Sequence, residues 1–179
     1  MPVAWFLLTS LWVLYKVIFI IMKIGILSDT HLTSTTDGFR KTVETLFADV
    51  EIVIHAGDMT GISVYNYLSN WDLKAVRGNM DDFELHNLLP EKRTEIIAGR
   101  KIGIIHGRGS PQGIEDRVFG EFQGVDLIVF GHSHVPFEAK KGGVFLFNPG
   151  SFRGSYLHRG TVGIVEIGDA ITFRHMQVE

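Results

Sequence analysis

The sequence contains no cysteine, and this absence narrows the chemistry open to it. None of its 179 residues can form a disulfide, a thiolate nucleophile or a cysteine-type zinc site. The strong metal ligands that remain are imidazole, carboxylate and carbonyl oxygen. An excess of basic charge is also lacking, since the formal net charge is −3 and the Lys and Arg residues are scattered along the chain. We therefore expect no dedicated nucleic-acid binding.

Charged residues are nearly absent from residues 1–22, which form a hydrophobic N-terminal extension. Lys16 carries the only charge in this run, which is long enough to span a bilayer. A signal peptide is disfavoured, because no basic residue precedes the apolar run and no small-x-small cleavage site follows it. The favoured interpretation is an over-extended reading frame with Met22 as the true initiator, which predicts a cytoplasmic protein. The alternative is a membrane anchor, although Lys23 already begins a core strand and leaves no linker.

Residues 23–179 have the pattern of one α/β domain, in which short apolar runs alternate with helical segments. With 45% apolar residues, this length suffices for one sizeable core. Apolar spacing predicts a helix that contains Phe39, with Asp37 near its cap, a second over 62–68, and a third from Ser110 to Phe122. The last two strands are expected to form a hairpin. The ten predicted strands are 23–27, 51–54, 73–76, 94–97, 101–105, 126–130, 137–140, 144–147, 161–167 and 170–174.

Polar side chains follow five of the predicted strands, at the point where each strand ends. Because ligands bind at the carboxyl ends of the strands in open α/β sheets, these side chains should meet at one edge. Glycines beside them permit close approach of the backbone. The candidates are Asp29 and His31 after the first strand, Asp58 after the second, Asn79 after the third, His106 after the fifth, and His132 and His134 after the sixth.

Together these seven side chains indicate a metal centre. Taken singly, each has a simpler explanation, since Asp-x-His and Gly-Asp are common in turns and a lone histidine is often a core residue. Turns explain poorly why all seven follow strand ends within one domain. The nitrogen and oxygen ligands suit manganese, iron, zinc, cobalt or nickel rather than calcium. Seven ligands are too many for one tetrahedral ion, so we expect two ions that share a bridging carboxylate.

The set resembles the motifs of the calcineurin-like metallophosphoesterases. The matching segments, in the same order, are Asp29-x-His31, Gly57-Asp58, Gly78-Asn79, His106 and Gly131-His132-x-His134. The small size and the segment Asn148-Pro149-Gly150-Ser151 resemble the compact prokaryotic phosphodiesterase branch. The resemblance implies the metallo-dependent phosphatase fold, a four-layer αββα sandwich with two mixed β-sheets.

The resemblance also implies how the ligands divide between two divalent ions. Manganese is expected, and nickel, zinc, iron or cobalt would also suit the site. A hydroxide shared by the ions would attack the phosphorus, and Asp58, Asn79 and His106 are predicted as catalytic residues. One ion would take Asp29, His31, Asp58 and His134, and the other would take Asp58, Asn79, His106 and His132, so that Asp58 bridges.

One position departs from the family pattern and bears on the substrate. Many members have Gly-Asn-His-Glu where this chain has Gly78-Asn79-Met80-Asp81. A thioether cannot donate the proton that this histidine supplies to a leaving group, and the compact branch tends to lack the histidine too. We therefore predict a phosphodiesterase that acts on a small-molecule phosphodiester. The alternatives are a phosphomonoesterase or nucleotidase, and a non-catalytic scaffold like the retromer subunit of the family.

Residues outside the ligand set offer further candidates. Arg108 and Arg153 are predicted to bind the substrate phosphate, although a solvated surface position is the simpler alternative for each. His158 would either replace the missing proton donor or lie in a surface loop. His86 is expected to pack with neighbouring leucines, and His55 either supports a ligand or ends a strand. Exposed strand edges are also compatible with a homodimer.

Overall fold

Two five-stranded β-sheets occupy the centre of the molecule. The structure is a computed structural model that describes residues 21–154 and 159–178. Its strands are β1 (Met22–Leu27), β2 (Ile52–Ala56), β3 (Asp72–Val76), β4 (Lys92–Ile97), β5 (Arg100–Ile105), β6 (Leu127–Val129), β7 (Phe137–Lys141), β8 (Val144–Asn148), β9 (Thr161–Ile167) and β10 (Ile171–Gln177). The strand order is β10-β9-β1-β2-β3 in the first sheet and β4-β5-β6-β8-β7 in the second.

Each sheet has three adjacent parallel strands, flanked by antiparallel strands on one side in the first sheet and on both sides in the second. Strands β1, β2 and β3 are parallel, as are β5, β6 and β8. Strands β4, β7, β9 and β10 run antiparallel to the strands they pair with. The ten predicted strands and the final hairpin are confirmed, with β4 starting at Lys92 rather than Thr94. Both sheets are therefore mixed.

Three apolar layers hold the sheets and helices together, because alternate strand residues face opposite sides of a sheet. Ile24 and Ile26 of the first sheet pack against Ile104 and Val129 of the second. On the outer face of the first sheet, Leu27 and its neighbours pack against helices. A third cluster covers the outer face of the second sheet. These contacts give the helix-sheet-sheet-helix order that the resemblance implied.

The helices of the structure are α1 (Asp37–Leu46), α2 (Ile62–Leu68), α3 (Phe83–Leu88) and α4 (Ile114–Phe119). Helix α1 was predicted with Asp37 near the cap, and the cap itself is Thr36, whose Oγ1 accepts the Phe39 N–H at 3.1 Å. Helix α2 has the predicted bounds. Helix α3 was not predicted, although Asp82 caps it and Leu85 is buried on its inner face.

The predicted start of the last helix at Ser110 is wrong. Residue Gly113 has a φ of 70°, in the left-handed region, so the chain cannot continue from Ser110 into a regular helix. Ser110 Oγ instead accepts the Gln112 N–H at 3.2 Å within the loop. Helix α4 begins at Ile114 and ends at Phe119, three residues before the predicted end at Phe122.

The beginning of the described chain is already part of the first sheet. Met22 is paired with Ile167, and Lys23 with Glu166. Residues 1–20 of the predicted hydrophobic extension lie outside the described residues. Within residues 21–154 and 159–178, no helix combines the length and the apolar character that crossing a bilayer requires.

Candidate metal centre

Loops from both sheets meet where the parallel strands end. The Asp29 N–H donates to the Gly57 carbonyl at 3.0 Å, and the Gly131 N–H donates to the His106 carbonyl at 3.1 Å. The His132 N–H donates to Asp29 Oδ2 at 3.1 Å and so joins the second sheet to the first. The structure thereby brings together all seven side chains that the sequence singled out, Asp29, His31, Asp58, Asn79, His106, His132 and His134.

The first group consists of Asp29, His31 and His134. His134 Nε2 lies 3.1 Å from Asp29 Oδ1, and His31 Nε2 lies 3.8 Å from the same oxygen. The two Nε2 atoms are 3.2 Å apart. Two imidazole nitrogens and a carboxylate oxygen thus face one small volume, which is an arrangement that can coordinate a cation.

The two oxygens of the Asp29 carboxylate have different surroundings. Oδ2 accepts hydrogen bonds from Ser28 Oγ at 2.6 Å and from the His132 N–H at 3.1 Å. Oδ1 is buried and has no hydrogen-bond partner among the described residues, since His134 Nε2 approaches it without the alignment of a hydrogen bond. A buried oxygen left unpaired costs roughly 1–3 kcal/mol, and more when it is charged. A cation at this position would remove that cost, so the donor set fits a metal ion.

The second group consists of Asp58, Asn79, His106 and His132. His106 Nε2 lies 3.3 Å from Asp58 Oδ2. His132 Nδ1 lies 3.4 Å from His106 Nε2 and 3.1 Å from Asn79 Oδ1. Carboxylate, amide and imidazole atoms again face a common volume, as a second cation site requires.

Asp58 lies between the two groups. Its Oδ1 accepts the Met80 N–H at 2.7 Å, which leaves Oδ2 available to the centre. Oδ2 lies 3.3 Å from His106 Nε2 in the second group and 3.9 Å from His31 Nε2 in the first. A single oxygen therefore faces both groups, as a ligand shared by two ions would.

Backbone carbonyls orient two of the imidazole rings. His106 Nδ1 lies 2.8 Å from the Ala56 carbonyl, and His132 Nε2 lies 2.8 Å from the Gly109 carbonyl. A carbonyl oxygen only accepts, so the nitrogen beside it carries the proton of the neutral ring. The lone pairs then belong to His106 Nε2 and His132 Nδ1, the atoms that face the centre. Metal-binding histidines are commonly supported in this way.

The backbone is strained at most of the predicted ligands. Five of the seven have a φ between 46° and 69°, in the left-handed region that non-glycine residues rarely adopt. Each such residue costs on the order of 1–3 kcal/mol and persists where the surrounding structure holds it. The loops also approach too closely for a side chain at Gly78, where a Cβ would lie 2.1 Å from Asp58 Oδ1. The five strained residues are Asp29, His31, Asp58, His132 and His134.

Charges within the centre shift the pKa values of its members. The contact with Asp29 raises the pKa of His134. Burial acts to lower the pKa of His106, but the contact with Asp58 and the charges of the nearby carboxylates outweigh it and raise that pKa. Burial likewise acts to raise the pKa of Asp58, and the His106 contact outweighs it, so that the pKa is lowered. The carboxylates therefore favour positive charge in this volume, whether it comes from protons or from metal ions.

His55 lies at the end of β2 and is fully buried. Its Nε2 lies 3.3 Å from Thr30 Oγ1, and its Nδ1 has no hydrogen-bond partner among the described residues. Burial lowers the pKa of His55 to about 3, so the ring is neutral at physiological pH. Because Thr30 stands between Asp29 and His31, this contact supports the loop that presents both side chains.

One functional carboxylate was missed by the sequence interpretation. Asp81 is buried and accepts the N–H groups of Gly78 and Thr60, each at 2.7 Å. It thereby ties the loop that carries Asn79 to the loop that carries Asp58. Its position two residues after Asn79 is the signal that the sequence offers, but the partner Thr60 becomes evident only in the fold.

The two predicted substrate-binding arginines lie beside different groups of ligands. Arg153 Nη1 donates to the His31 carbonyl at 3.1 Å, beside the first group. The Arg108 side chain is 78% exposed and lines a cleft together with Asn79 and His106, beside the second group. Their contact with a substrate remains a prediction.

Three further candidates have different outcomes. The expectation that His86 packs with leucines is wrong, since the residue is exposed and lines the same cleft as Arg108. Met80 follows Asn79 and is 56% exposed. His158 lies outside the described residues.

Comparison with known proteins shows which family this arrangement belongs to. The model of the calcineurin-like phosphoesterase superfamily domain matches residues 22–170. A probable metallophosphoesterase of Methanocaldococcus jannaschii is 38% identical over 134 residues, which cover 73% of this chain and 68% of that protein.

Solved structures share the fold. One, described as a novel archaeal phosphodiesterase, matches with a TM-score of 0.68 at 27% identity and covers 87% of this chain and 99% of its own. Vacuolar Protein Sorting 29 from Cryptosporidium parvum matches with a TM-score of 0.68 at 19% identity, over 89% of this chain and 99% of its own. The second likeness shows the fold alone. The predicted fold with two mixed β-sheets is confirmed.

Proposed function

The chain belongs to the calcineurin-like phosphoesterase superfamily, and from this membership we propose that it is a metal-dependent phosphodiesterase acting on a small-molecule phosphodiester. One observation carries the proposal. Asp29 Oδ1 is buried without a hydrogen-bond partner among the described residues and faces the Nε2 atoms of His31 and His134. Such an oxygen is stabilised by a cation, and a phosphoesterase of this family uses cations for hydrolysis.

The seven side chains divide naturally between two divalent ions, for which manganese is the proposed metal. When bound, the ions would supply a hydroxide nucleophile at neutral pH and stabilise the charge that develops on the phosphoryl oxygens. Asp29, His31, Asp58 and His134 would hold one ion, and Asp58, Asn79, His106 and His132 would hold the other.

The protein's own residues orient these groups. Asp58, Asn79 and His106 are the proposed catalytic residues. Asn79 and His106 line the cleft beside the centre, and Asp58 lies between the two groups of ligands. The Met80 N–H holds Asp58 Oδ1 and aims Oδ2 at both groups. The Ala56 carbonyl keeps the proton of His106 on Nδ1, away from the reacting phosphate.

Met80 favours a diester over a monoester substrate. Its side chain is exposed next to Asn79 and has no proton to give to a poor leaving group. A diester with an activated leaving group requires less help from a general acid. The structural relative described as a phosphodiesterase supports the same choice. A phosphomonoesterase or nucleotidase is the alternative.

A non-catalytic scaffold is the second class of function, suggested by the fold shared with Vacuolar Protein Sorting 29. A scaffold has no need for seven ligand side chains that converge, or for the strained backbone that presents five of them. These two features favour catalysis.

The test is hydrolysis of bis(p-nitrophenyl) phosphate and p-nitrophenyl phosphate by the full chain with manganese. We expect a higher kcat/KM for the diester, and a loss of about 100-fold or more in kcat for Asp58→Asn, because the shared negative charge is removed. Asp169→Asn, in the exposed turn between β9 and β10, is the matched control and should retain activity. Absence of turnover with every divalent metal would refute the proposal, and a higher kcat/KM for the monoester would select the phosphomonoesterase.

A further inference from the structure

A cleft of about 630 Å³ opens beside the second group of ligands. Asn79 and His106 line it next to the centre, and its walls continue through His86 of α3 and Arg108 of the loop after β5. This volume is typical of small-molecule sites. The cleft extends beyond the seven ligands, so it can hold a part of a substrate that the metal centre does not contact.

Three guanidinium groups and three carboxylates line the cleft, and two of these carboxylates are neutralised by lysines that lie outside the lining. Of its three carboxylates, Glu121 is paired with Lys92 at 2.8 Å and Asp116 is paired with Lys141. The Lys92 hydrogen bond also holds the pKa of Glu121 below its ordinary value. Among the lining residues, Glu91 is therefore the carboxylate left to balance three guanidinium groups, those of Arg77, Arg108 and Arg117.

Two of these arginines are committed to the protein backbone. Arg77 Nη1 donates to the carbonyls of His86 at 3.2 Å and Leu89 at 3.1 Å, which anchors the end of α3. Arg117 donates from Nε to the Arg108 carbonyl at 3.2 Å and from Nη1 to the Gln112 carbonyl at 3.1 Å. Both contribute charge to the cleft; Arg117 is engaged through all three of its side-chain nitrogens, and Arg77 is engaged through Nη1.

Arg108 and His86 are donor side chains of the cleft that make no hydrogen bond to a described residue. The Arg108 guanidinium makes no hydrogen bond within the described chain, and its carboxylate contacts are long, 3.9 Å to Glu91 and 3.8 Å to Glu121. The His86 ring is likewise without a hydrogen bond to any described residue, while its backbone is held by Arg77. The two side chains come from different elements, α3 and the loop after β5, and both line the same cleft.

We propose that this cleft binds a second anionic group, a phosphate or a carboxylate, carried on one ester arm of the substrate and held by Arg108 and His86. The inference rests on the proposed function for the place of the reacting phosphate. The substrate class is then a phosphodiester with an additional negative charge on one arm, rather than a neutral or cationic diester.

The test compares four ligands that share one phosphate and differ at the far end. They are propyl phosphate, 1,3-propanediol bisphosphate, 4-phosphobutyrate and 3-(trimethylammonio)propyl phosphate, titrated calorimetrically into the full chain loaded with manganese. We expect the bisphosphate or the carboxylate to bind at least about fivefold more tightly than propyl phosphate, and the cationic ligand to bind more weakly, as partly exposed charge-assisted contacts allow. The ranking of bisphosphate and carboxylate distinguishes the two anions.

Variants test whether Arg108 and His86 cause the difference in affinity. The double variant Arg108→Gln/His86→Gln should bind the anionic ligands at most about twofold more tightly than it binds propyl phosphate. For the bisphosphate, a factor of about two is expected on statistical grounds alone, because either of its two equivalent phosphates can occupy the metal centre. Lys101→Gln, an exposed charge at the start of β5, should leave the advantage intact. Equal affinity for all four ligands, or an advantage that survives in the double variant, would overturn the inference. Failure to hydrolyse bis(p-nitrophenyl) phosphate would instead overturn the proposed function, whatever the binding ranking.

Discussion

The Asp81 carboxylate accepts the Thr60 backbone N–H at 2.7 Å and so joins the loop after β3 to the loop after β2. Thr60 is β-branched and has a φ of 81°, a conformation that such residues rarely adopt. The other oxygen of Asp81 accepts the Gly78 N–H at 2.7 Å. One carboxylate thus holds together the strained turns from which Asp58 and Asn79 project.

Asp81→Ala is expected to destabilise the metal-free protein by about 2–4 kcal/mol, because two charge-assisted hydrogen bonds to the backbone are lost in a buried position. Urea unfolding followed by circular dichroism measures this change. Asp81→Asn keeps one acceptor and should cost less than alanine. An alanine variant as stable as the parent protein would show that the two hydrogen bonds of the Asp81 carboxylate do not contribute to the free energy of unfolding.

Metal removal is expected to lower the melting temperature. Manganese at about 100 times its Kd would add about 2.7 kcal/mol to the unfolding free energy, which corresponds to roughly 5–10 °C for a chain of this size. Thermal unfolding with manganese and with a chelator measures the shift. His134→Gln should lose most of it, whereas His175→Gln, whose ring contacts the Asn148 carbonyl, should keep it. Equal melting temperatures with and without metal would contradict the assignment of the ligands.

Met80→His is expected to raise the ratio of monoester to diester hydrolysis by about tenfold or more. The side chain is exposed beside Asn79, and a histidine there could give a proton to a poor leaving group. Steady-state kinetics on the two p-nitrophenyl substrates, and on an alkyl phosphate with a poorer leaving group, would measure it. Met80→Gln, which adds polarity without a titratable proton, is the control. An unchanged ratio would remove Met80 as a determinant of substrate class.

Stability is expected to fall in acid because of His55. Its pKa is lowered from 6.5 to about 3 in the folded protein, so between these values the unfolded chain binds a proton that the folded chain does not. The unfolding free energy is therefore fully present above pH 6.5 and decreases as the pH falls toward 3. At pH 5 the loss is about 2 kcal/mol relative to neutral pH. Urea unfolding of metal-free protein and of His55→Gln across this range should give a shallower slope for the variant; parallel slopes would exclude His55 as the cause.

Much of this architecture was predictable, because buried parallel strands have continuous apolar runs and end at polar loops. The seven ligand candidates, Asp58 and His106 among them, could be selected because all of them follow strand ends. The turn-forming residues Gly168 and Asp169 likewise predict the β9–β10 hairpin. These features depend on local sequence, and local sequence was sufficient for them.

The errors arose where local patterns gave an incomplete description of the backbone. Gly113 adopts a left-handed conformation that ends any helix begun at Ser110. Helix α3 buries mainly Leu85 and leaves Phe83 exposed, so its apolar pattern is weak. The role of Asp81 depends on Thr60, 21 residues away in sequence. Long-range contacts of this kind follow from the packing of the loops, which the sequence pattern does not contain.

The division of the ligands between two sheets has a mechanical consequence. His31 and His134 lie 103 positions apart in sequence, one after a strand of each sheet, yet their ring nitrogens are 3.2 Å apart. An ion bound between them would join parts of the chain that are far apart in sequence, and it would stabilise the folded state because the unfolded chain does not keep these ligands together. In a sequence without cysteine, the metal centre would thus connect the two sheets, as a disulfide connects distant segments in other small domains. Separation of the two sheets would require release of the ions.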